Sequence, residues 1–368
     1  MTRLWHAEAM KATSTILLLV ATVTLSGCTS EGAPVPSSSA TSTPAPTGTA
    51  TAAQPGSRLP GTCSDLEDAA TLSVLAPGYS LSSDTATAAL TPWESSYVTA
   101  GLHACRWEAA AASPAVSLAV LPGGVANYIP AVPSTEGVSL IDTVGDASWM
   151  TCYDHSESSA GFTQCYFEFV VDDYWAGGFY DASVSPIPFA DVTAALSSAL
   201  DAVADHLHDL GEPRPAWTAA QTLAPSASCD AMAANGTVAA ALGGSAADYS
   251  VSSFGGSEAY SPIYNVLDQQ SPALGCTWWR TDGSFQFSAY VVAGGGWAWD
   301  VLEQGQRSPV TIPGAEESYL TESGDSRSVR VLFEDSLVEI TAYPSDSSSD
   351  SRALAAAAAL LPLLPLIP

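Results

Sequence analysis

Positive charge is the scarcest feature of this sequence. Its 368 residues include 10 lysines and arginines against 38 aspartates and glutamates, a formal net charge of −28 at pH 7, and Lys11 is the single lysine. So negative a chain repels phosphate backbones and anionic headgroups, which excludes nucleic acid as a partner. A solvated acidic surface explains this excess better than a dedicated cation site does.

Motifs of the common enzyme classes are also missing. The chain has no G-x-S-x-G elbow, no H-E-x-x-H, no P-loop and no G-x-G-x-x-G after a strand. Histidine is rare, and His206 and His208 lie two positions apart on a predicted helix, where they point to different faces. His103 is expected to be a surface or loop residue. The sequence therefore predicts a protein that is not an enzyme and that needs no metal or cofactor.

One pair of carboxylates qualifies as a candidate for chemistry on a sugar. Asp172-Asp173 stands directly before Tyr174-Trp175, and glycan hydrolysis uses two carboxylates. Adjacent side chains point to opposite faces of a strand, whereas a hairpin turn explains two aspartates directly. The turn is the favoured interpretation, with an envelope glycan hydrolase as an alternative function.

Long apolar runs are absent except near the N-terminus. The run from Thr13 to Leu25 is short for a membrane span, which needs about 20 apolar residues. It ends in Leu25-Ser26-Gly27-Cys28, which resembles the lipobox of bacterial lipoproteins. This resemblance implies a signal peptide at 1–27, with Met1 or Met10 as its start. It also implies acylation of Cys28, palmitate included, and anchoring at the outer face of the cytoplasmic membrane. An ordinary secretory signal and an uncleaved membrane helix are the alternatives.

Residues 28–60 are rich in serine, threonine, proline and alanine, as in Thr43-Pro44-Ala45-Pro46. Such a segment has too little apolar bulk to form a core, and its prolines extend it. We therefore expect a tether between the lipid anchor and the folded part of the chain.

Six cysteines follow the tether: Cys63, Cys105, Cys152, Cys165, Cys229 and Cys276. An even number outside the cytoplasm indicates three disulfides, which six cysteines can form in 15 ways. Metal binding is the rival interpretation, but the chain has neither C-x-x-C nor His-Cys spacing typical of zinc sites.

An internal repeat selects one of these pairings. When Cys105-Arg106-Trp107 is placed over Cys276-Thr277-Trp278, Gly123-Gly124 falls on Gly294-Gly295 without a gap. Further on, Gly145–Trp149 matches Gly314–Tyr319. The repeat predicts the bonds Cys63–Cys105 and Cys229–Cys276, which leaves Cys152 to pair with Cys165 across a polar turn between two strands.

The hydrophobic pattern is the same in both repeats. Alternating residues predict strands after the second cysteine, and apolar residues at helical spacing predict a closing helix, Asp191–Leu210 in the first repeat and Arg352–Leu361 in the second. A short helix is expected at Trp297–Leu302. The fold class is therefore α+β: two tandem sandwiches, each an antiparallel sheet with helices packed on one face. The predicted domains are 61–211 and 229–368, joined by a linker at 212–228.

Tryptophans that do not all recur with the repeat are the best candidates for a ligand-binding surface. These are Trp175, Trp279, Trp297 and Trp299. Aromatic rings of this kind stack on glycans or line apolar cavities.

The lipobox, the Ser/Thr/Pro tether and the tandem Cys…Cys-x-Trp pattern together resemble actinobacterial cell-envelope lipoproteins of unknown function. The pattern is also similar to extracellular sensor domains of some actinobacterial serine/threonine kinases. The resemblance implies a non-catalytic, lipid-anchored binding or sensing protein of the envelope, with a glycan, lipid or protein as its ligand. A purely structural spacer is a further alternative.

Overall fold

The computed structural model describes most of the chain beyond the tether, namely residues 54–85, 90–110, 113–128, 138–140, 144–155, 162–219, 221–224, 227–253, 263, 273–284, 286–302, 307–323, 326–343, 348–364 and 366–367. Ala50–Pro368 form one compact unit. The predicted signal peptide, Cys28 and most of the tether lie outside the described residues. The domain boundaries at 61–211, 212–228 and 229–368 stay predictions.

Among the described residues, the first repeat contains an antiparallel sheet and three α-helices. The helices are α1 (Ala69–Leu75), α2 (Pro92–Thr99) and α3 (Phe189–Leu210). The sheet has the order β1-β2-β3-β7-β6-β5-β4, with β1 Ser80–Asp84, β2 His103–Glu108, β3 Ala115–Pro122, β4 Val138–Leu140, β5 Ala147–Asp154, β6 Thr163–Val171 and β7 Tyr174–Ala182.

The second repeat contains the matching sheet. Its α-helices include α4 (Cys229–Ala234), α5 (Thr237–Ala241) and α6 (Ser349–Leu360). The sheet has the order β12-β13-β14-β15-β11-β10-β9, with β9 Tyr249–Ser253, β10 Ala273–Arg280, β11 Gln286–Val292, β12 Arg307–Pro309, β13 Glu317–Ser323, β14 Ser326–Phe333 and β15 Ser336–Tyr343. Two short strands outside it, β8 (Thr222–Leu223) and β16 (Leu366–Ile367), pair with each other.

Each sheet packs one face against its own repeat's helices. In α3, Val192, Leu196, Leu200, Val203 and Leu207 are buried at helical spacing, which places them along one stripe of the helix. That stripe belongs to the first core, and α6 contributes to the second core in the same way. The predicted α+β fold class is thereby confirmed.

The two sheets share one register. Trp107 pairs with Val116 and Val116 with Tyr180 in the first sheet; Trp278, Phe287 and Ala342 form the matching row in the second. The glycines aligned by the repeat also share their backbone conformation. Gly123 and Gly294 have φ of 75° and 65°, and Gly145 and Gly314 have φ of 59° and 88°, a region that favours glycine.

Three disulfides join the partners that the repeat predicts. Cys63–Cys105 and Cys229–Cys276 span 42 and 47 positions and have Cα–Cα distances of 5.5 and 5.4 Å. Cys152 lies directly opposite Cys165 on β5 and β6, with a Cα–Cα distance of 4.0 Å. Disulfides form and persist in oxidising compartments, so these bonds indicate an extracytoplasmic location.

The other face of each sheet is partly covered by a segment of the other repeat. Helix α2 packs on β11 and β15 of the second sheet, where Ser96 Oγ lies 2.7 Å from the Tyr290 hydroxyl. In return, Ile263 is fully buried against the first sheet and donates its backbone N–H to Glu168 Oε1 at 3.1 Å. Tyr290 and Ala119 occupy matching positions in the two cores formed this way. The repeats therefore exchange segments reciprocally.

One predicted element needs correction. The chain forms a 3₁₀ helix at Gly295–Ala298 rather than a helix over Trp297–Leu302. The Trp297 indole N–H donates to Thr99 Oγ1 at 3.2 Å, so this 3₁₀ helix contacts α2. Among the described residues, no helix has the length and apolarity needed to cross a membrane.

Candidate ligand-binding face

The four tryptophans proposed as a ligand surface lie in different environments. Trp175, Trp297 and Trp299 are buried, with 0, 3 and 5% of their surface exposed, and they belong to the cores between the two repeats. A ring without exposed surface cannot stack on a ligand from solvent. Trp279 is 46% exposed and keeps the exposure that the prediction requires.

Trp279 stands in a row of side chains across the second sheet. Its register partner on β11 is Gln286, and Gln286 is opposite Tyr343 on β15. Residues directly opposite each other on antiparallel strands point to the same face. Tyr343 is 39% exposed, and two strand spacings place the two rings about 10 Å apart. The two exposed aromatic residues therefore flank one amide on a single face.

The next row of the same face consists of small hydroxyl side chains, three of which (Thr277, Thr341 and Ser328) are buried, with 5, 7 and 9% of their surface exposed. Thr277 is opposite Ser288, Ser288 is opposite Thr341, and Thr341 is opposite Ser328. Ser328 Oγ and Thr341 Oγ1 are 2.9 Å apart and share a hydrogen bond. We call these two rows the hydroxyl–aromatic face; it comprises Ser250, Ser252, Thr277, Trp279, Gln286, Ser288, Ser326, Ser328, Thr341 and Tyr343.

The hydroxyl–aromatic face carries no formal charge. Burial raises the pKa of Tyr343, and the nearby Glu339 carboxylate raises it further, so the phenol stays neutral at pH 7. Further along the sheet, Arg330 and Glu339 pair their charges with each other. The exposed part of the face, which includes Trp279, Tyr343, Ser250 and Ser252, is therefore neutral on a strongly acidic protein.

Asp172-Asp173 forms the turn between β6 and β7, as the favoured interpretation predicts. Asp172 has φ of 49°, and Glu334 in the matching turn of the second repeat has φ of 47°. Asp172 Oδ2 lies 2.6 Å from His208 Nδ1, and the contact raises the pKa of His208. Asp172-Asp173 in the first repeat and Glu334 in the second therefore lie in matching turns.

His103 is buried rather than on the surface, so that expectation is wrong. It lies on β2 with 2% of its surface exposed, and its Nε2 is 3.3 Å from Cys63 Sγ. Among the described residues, Cys63, His103 and Cys105 have ligand atoms within 4.8 Å of one another. Both cysteines are joined in a disulfide, so neither offers the thiolate that binds a metal.

Comparison with known proteins adds no identification. No protein-family model matches the chain, and no curated protein matches it. Among solved structures, a chain titled "Crystal structure of MucB in complex with MucA(peri)" is 12% identical, over 73% of this chain and 84% of that chain, with a TM-score of 0.15. A TM-score of this size carries no argument about fold or function.

Proposed function

We propose that the protein is a lipid-anchored binding protein of the cell envelope and that the hydroxyl–aromatic face binds a neutral glycan without chemical change. The observation that carries the proposal is the exposure of Trp279 and Tyr343 in one row, with Gln286 between them.

The chemistry of the face matches the chemistry of sugars. A sugar ring has C–H groups on its flat faces, which stack on aromatic rings, and hydroxyl groups around its rim. Gln286 and the exposed Ser250 and Ser252 offer donors and acceptors beside the two rings. A flat row of this type suits an extended chain of sugars better than it suits a compact molecule.

Charge favours a neutral glycan over the other ligand classes. The protein has a formal net charge of −28, which repels anionic lipids and acidic polysaccharides at low salt. A lipid ligand would need an enclosed apolar site, whereas Trp279 and Tyr343 stand on an exposed sheet face.

Anchoring rests on Cys28, which the lipobox resemblance identifies as the acylated residue. Two or more acyl chains hold a protein stably at a membrane, whereas a single chain binds only marginally. The predicted tether then separates the folded unit from the bilayer, except for its last residues, because Ser57 is half-buried and Leu59 is fully buried in that unit. Labelling of cells with an alkynyl fatty acid tests this part: we expect labelled protein, and no label in the Cys28→Ser variant.

Retention on immobilised neutral polysaccharides tests the binding proposal. We expect the Cys28→Ser protein, secreted and purified, to bind at least one neutral glycan. Trp279→Ala and Tyr343→Ala should each weaken binding about fivefold to tenfold, because each removes a stacking contact of about 1 kcal/mol.

Tyr153→Ala is the matched control, since Tyr153 is an equally exposed aromatic residue (40%) on the other sheet. It should bind like the unaltered protein. Equal losses in all three variants would show that any exposed ring serves, and failure to bind any neutral glycan would refute the proposal.

A further inference from the structure

A second group of side chains lies in the first repeat, far in sequence from the hydroxyl–aromatic face. Ser57 Oγ is 3.0 Å from His103 Nδ1, and His103 Nε2 is 3.2 Å from Asp84 Oδ1. The side chains of His103 and Asp84 are only 3 and 10% exposed. Ser57 is half-buried and completes a hydroxyl–imidazole–carboxylate series.

The second repeat shows that the fold does not require these polar groups. His103 is opposite Val120, and Leu274 is opposite Val291 at the matching position. Asp84 is opposite Cys105, whereas Ser253 is opposite Cys276. Six residues before the first cysteine, Leu223 replaces Ser57. Leu223 and Leu274 pack against the second core, so the same scaffold is completed there by apolar side chains.

The series opens into a cavity of about 300 Å³, which Ser57 and His103 line together with Gly101, Leu102 and Val98. A neighbouring cavity of about 340 Å³ shares Val98 and Leu102 and continues along α2 past Tyr97 to Phe179. A half-buried hydroxyl at a cavity wall, backed by a buried imidazole and carboxylate, is the arrangement of a serine nucleophile with its base.

We propose that Ser57 is the nucleophile of an acyl-transfer site that cleaves carboxylic esters with an apolar part, in addition to the glycan binding proposed above. His103 is its general base, and Asp84 is a positioning residue. The two proposals involve different residues, so either can fail without the other.

The reaction needs two steps and no cofactor. Ser57 Oγ attacks the ester carbonyl carbon while its proton passes to His103 Nδ1; the C–O bond then breaks, and His103 returns that proton to the departing alcohol. Water next attacks the acyl-serine, gives a proton to His103 and releases the acid, and Ser57 recovers its proton. The Asp84 carboxylate, with Oδ1 3.2 Å from Nε2, favours the tautomer that carries its proton on Nε2, which leaves Nδ1 free for Ser57.

The environment of His103 suits a base that stays neutral. Burial lowers the pKa of His103, and the Asp84 carboxylate opposes that shift. The imidazole nitrogens meet Ser57 on one side and Asp84 with the Cys63 sulfur on the other. The ring is turned over relative to the chymotrypsin arrangement, in which Nε2 faces the serine, but the order of proton donors and acceptors is the same.

A fluorophosphonate probe, which forms a covalent adduct with activated serines, tests the proposal on the full chain purified in detergent. We expect labelling at Ser57, located by peptide mass spectrometry, and none in Ser57→Ala. His103→Gln should slow labelling about a hundredfold. Ser82→Ala removes an exposed hydroxyl on β1 and should label like the unaltered protein.

Absence of an adduct, an adduct on another serine, or equal labelling in Ser57→Ala would each overturn the proposal. Because Ser57→Ala removes one partly exposed hydroxyl, its melting temperature checks that it folds, and its result stands even if His103→Gln does not fold.

The pH profile separates a positioning role of Asp84 from a structural one. Asp84→Asn removes the charge that raises the pKa of His103. The labelling rate should therefore fall about tenfold, and its acid limb should move to lower pH. A slower reaction with an unmoved acid limb would contradict the assigned role of Asp84.

Discussion

The two sheets share a register but differ in what they present on the same row. Where the second sheet has Trp279, Gln286 and Tyr343, the first has Glu108, Ala115 and Asp181. The rows that face the helices keep buried apolar residues in both repeats. Core packing therefore constrains one face of each sheet, while the other face can acquire a separate surface in each copy.

A second difference concerns how the matching hairpins are joined. In the first repeat Tyr180 is opposite Cys165, which is bonded to Cys152; in the second, Ala342 is opposite Arg327, which is opposite Glu322. Arg327 Nη1 lies 2.5 Å from Glu322 Oε1, and Arg327 Nε lies 3.3 Å from Asp350 on α6. An ion-pair cluster in the second repeat thus occupies the position that the disulfide has in the first.

The largest expected effect comes from the disulfides that both repeats share. Replacing both cysteines of either pair, Cys63→Ala with Cys105→Ala or Cys229→Ala with Cys276→Ala, should lower the free energy of unfolding by about 4 kcal/mol. The two loops have nearly equal lengths, so urea unfolding should give nearly equal losses. A loss confined to one repeat would contradict the equivalence of the two copies.

The Cys152–Cys165 disulfide should contribute more to the free energy of unfolding than the Arg327 ion pairs at the matching position. Cys152→Ala with Cys165→Ala should cost about 3 kcal/mol for its 13-residue separation. Arg327→Ala should cost no more than about 1 kcal/mol, because Glu322 and Asp350 are largely exposed and the pair is screened by water. The same unfolding assay compares them, and a larger loss for Arg327→Ala would reverse this ranking.

A smaller effect on the free energy of unfolding is expected from protonation of His103, the residue at the position of Leu274 in the second repeat. Its pKa is lowered on folding, so the unfolded chain binds a proton first as the pH falls, and stability is lost below the unfolded pKa of about 6.5. Between pH 6.5 and 5.5 this loss is at most about 1.4 kcal/mol. His103→Leu should remove it, so urea unfolding at pH 7.5 and 5.5 should show a weaker acid dependence in the variant. If the free energy of unfolding falls by the same amount between pH 7.5 and 5.5 in the variant and in the unaltered protein, His103 is not the cause of the acid dependence.

Features that repeat along the chain could be predicted from the sequence. Cys105-Arg106-Trp107 and Cys276-Thr277-Trp278 align without a gap, and that alignment yields both long disulfides. The closing helix α3 could be predicted because its apolar residues recur at helical spacing and pack within one repeat. Residue spacing and the alignment of the repeats therefore predict contacts that form within one repeat.

Features created by contact between the repeats could not be predicted in this way. Helix α2 buries residues on several sides, Ser95, Ser96, Tyr97 and Thr99 among them, so it has no single apolar stripe. Trp297 and Trp299 are indistinguishable in sequence from exposed rings, although both are buried. Ser57, Asp84 and His103 come from three separate segments and match no motif. The replacement of His103 by Leu274 in the repeat alignment was the signal available in the sequence.

We propose that one scaffold was copied and that the second copy acquired a row for glycan binding where the first has carboxylates. Isothermal titration of a neutral glycan retained by the protein tests it most directly, using the double variant Trp279→Glu with Tyr343→Asp, which gives the second sheet the charges of the first. We predict loss of binding with the melting temperature unchanged within about 2 °C, because both rings lie outside the core. Undiminished affinity in a folded double variant would contradict the claim.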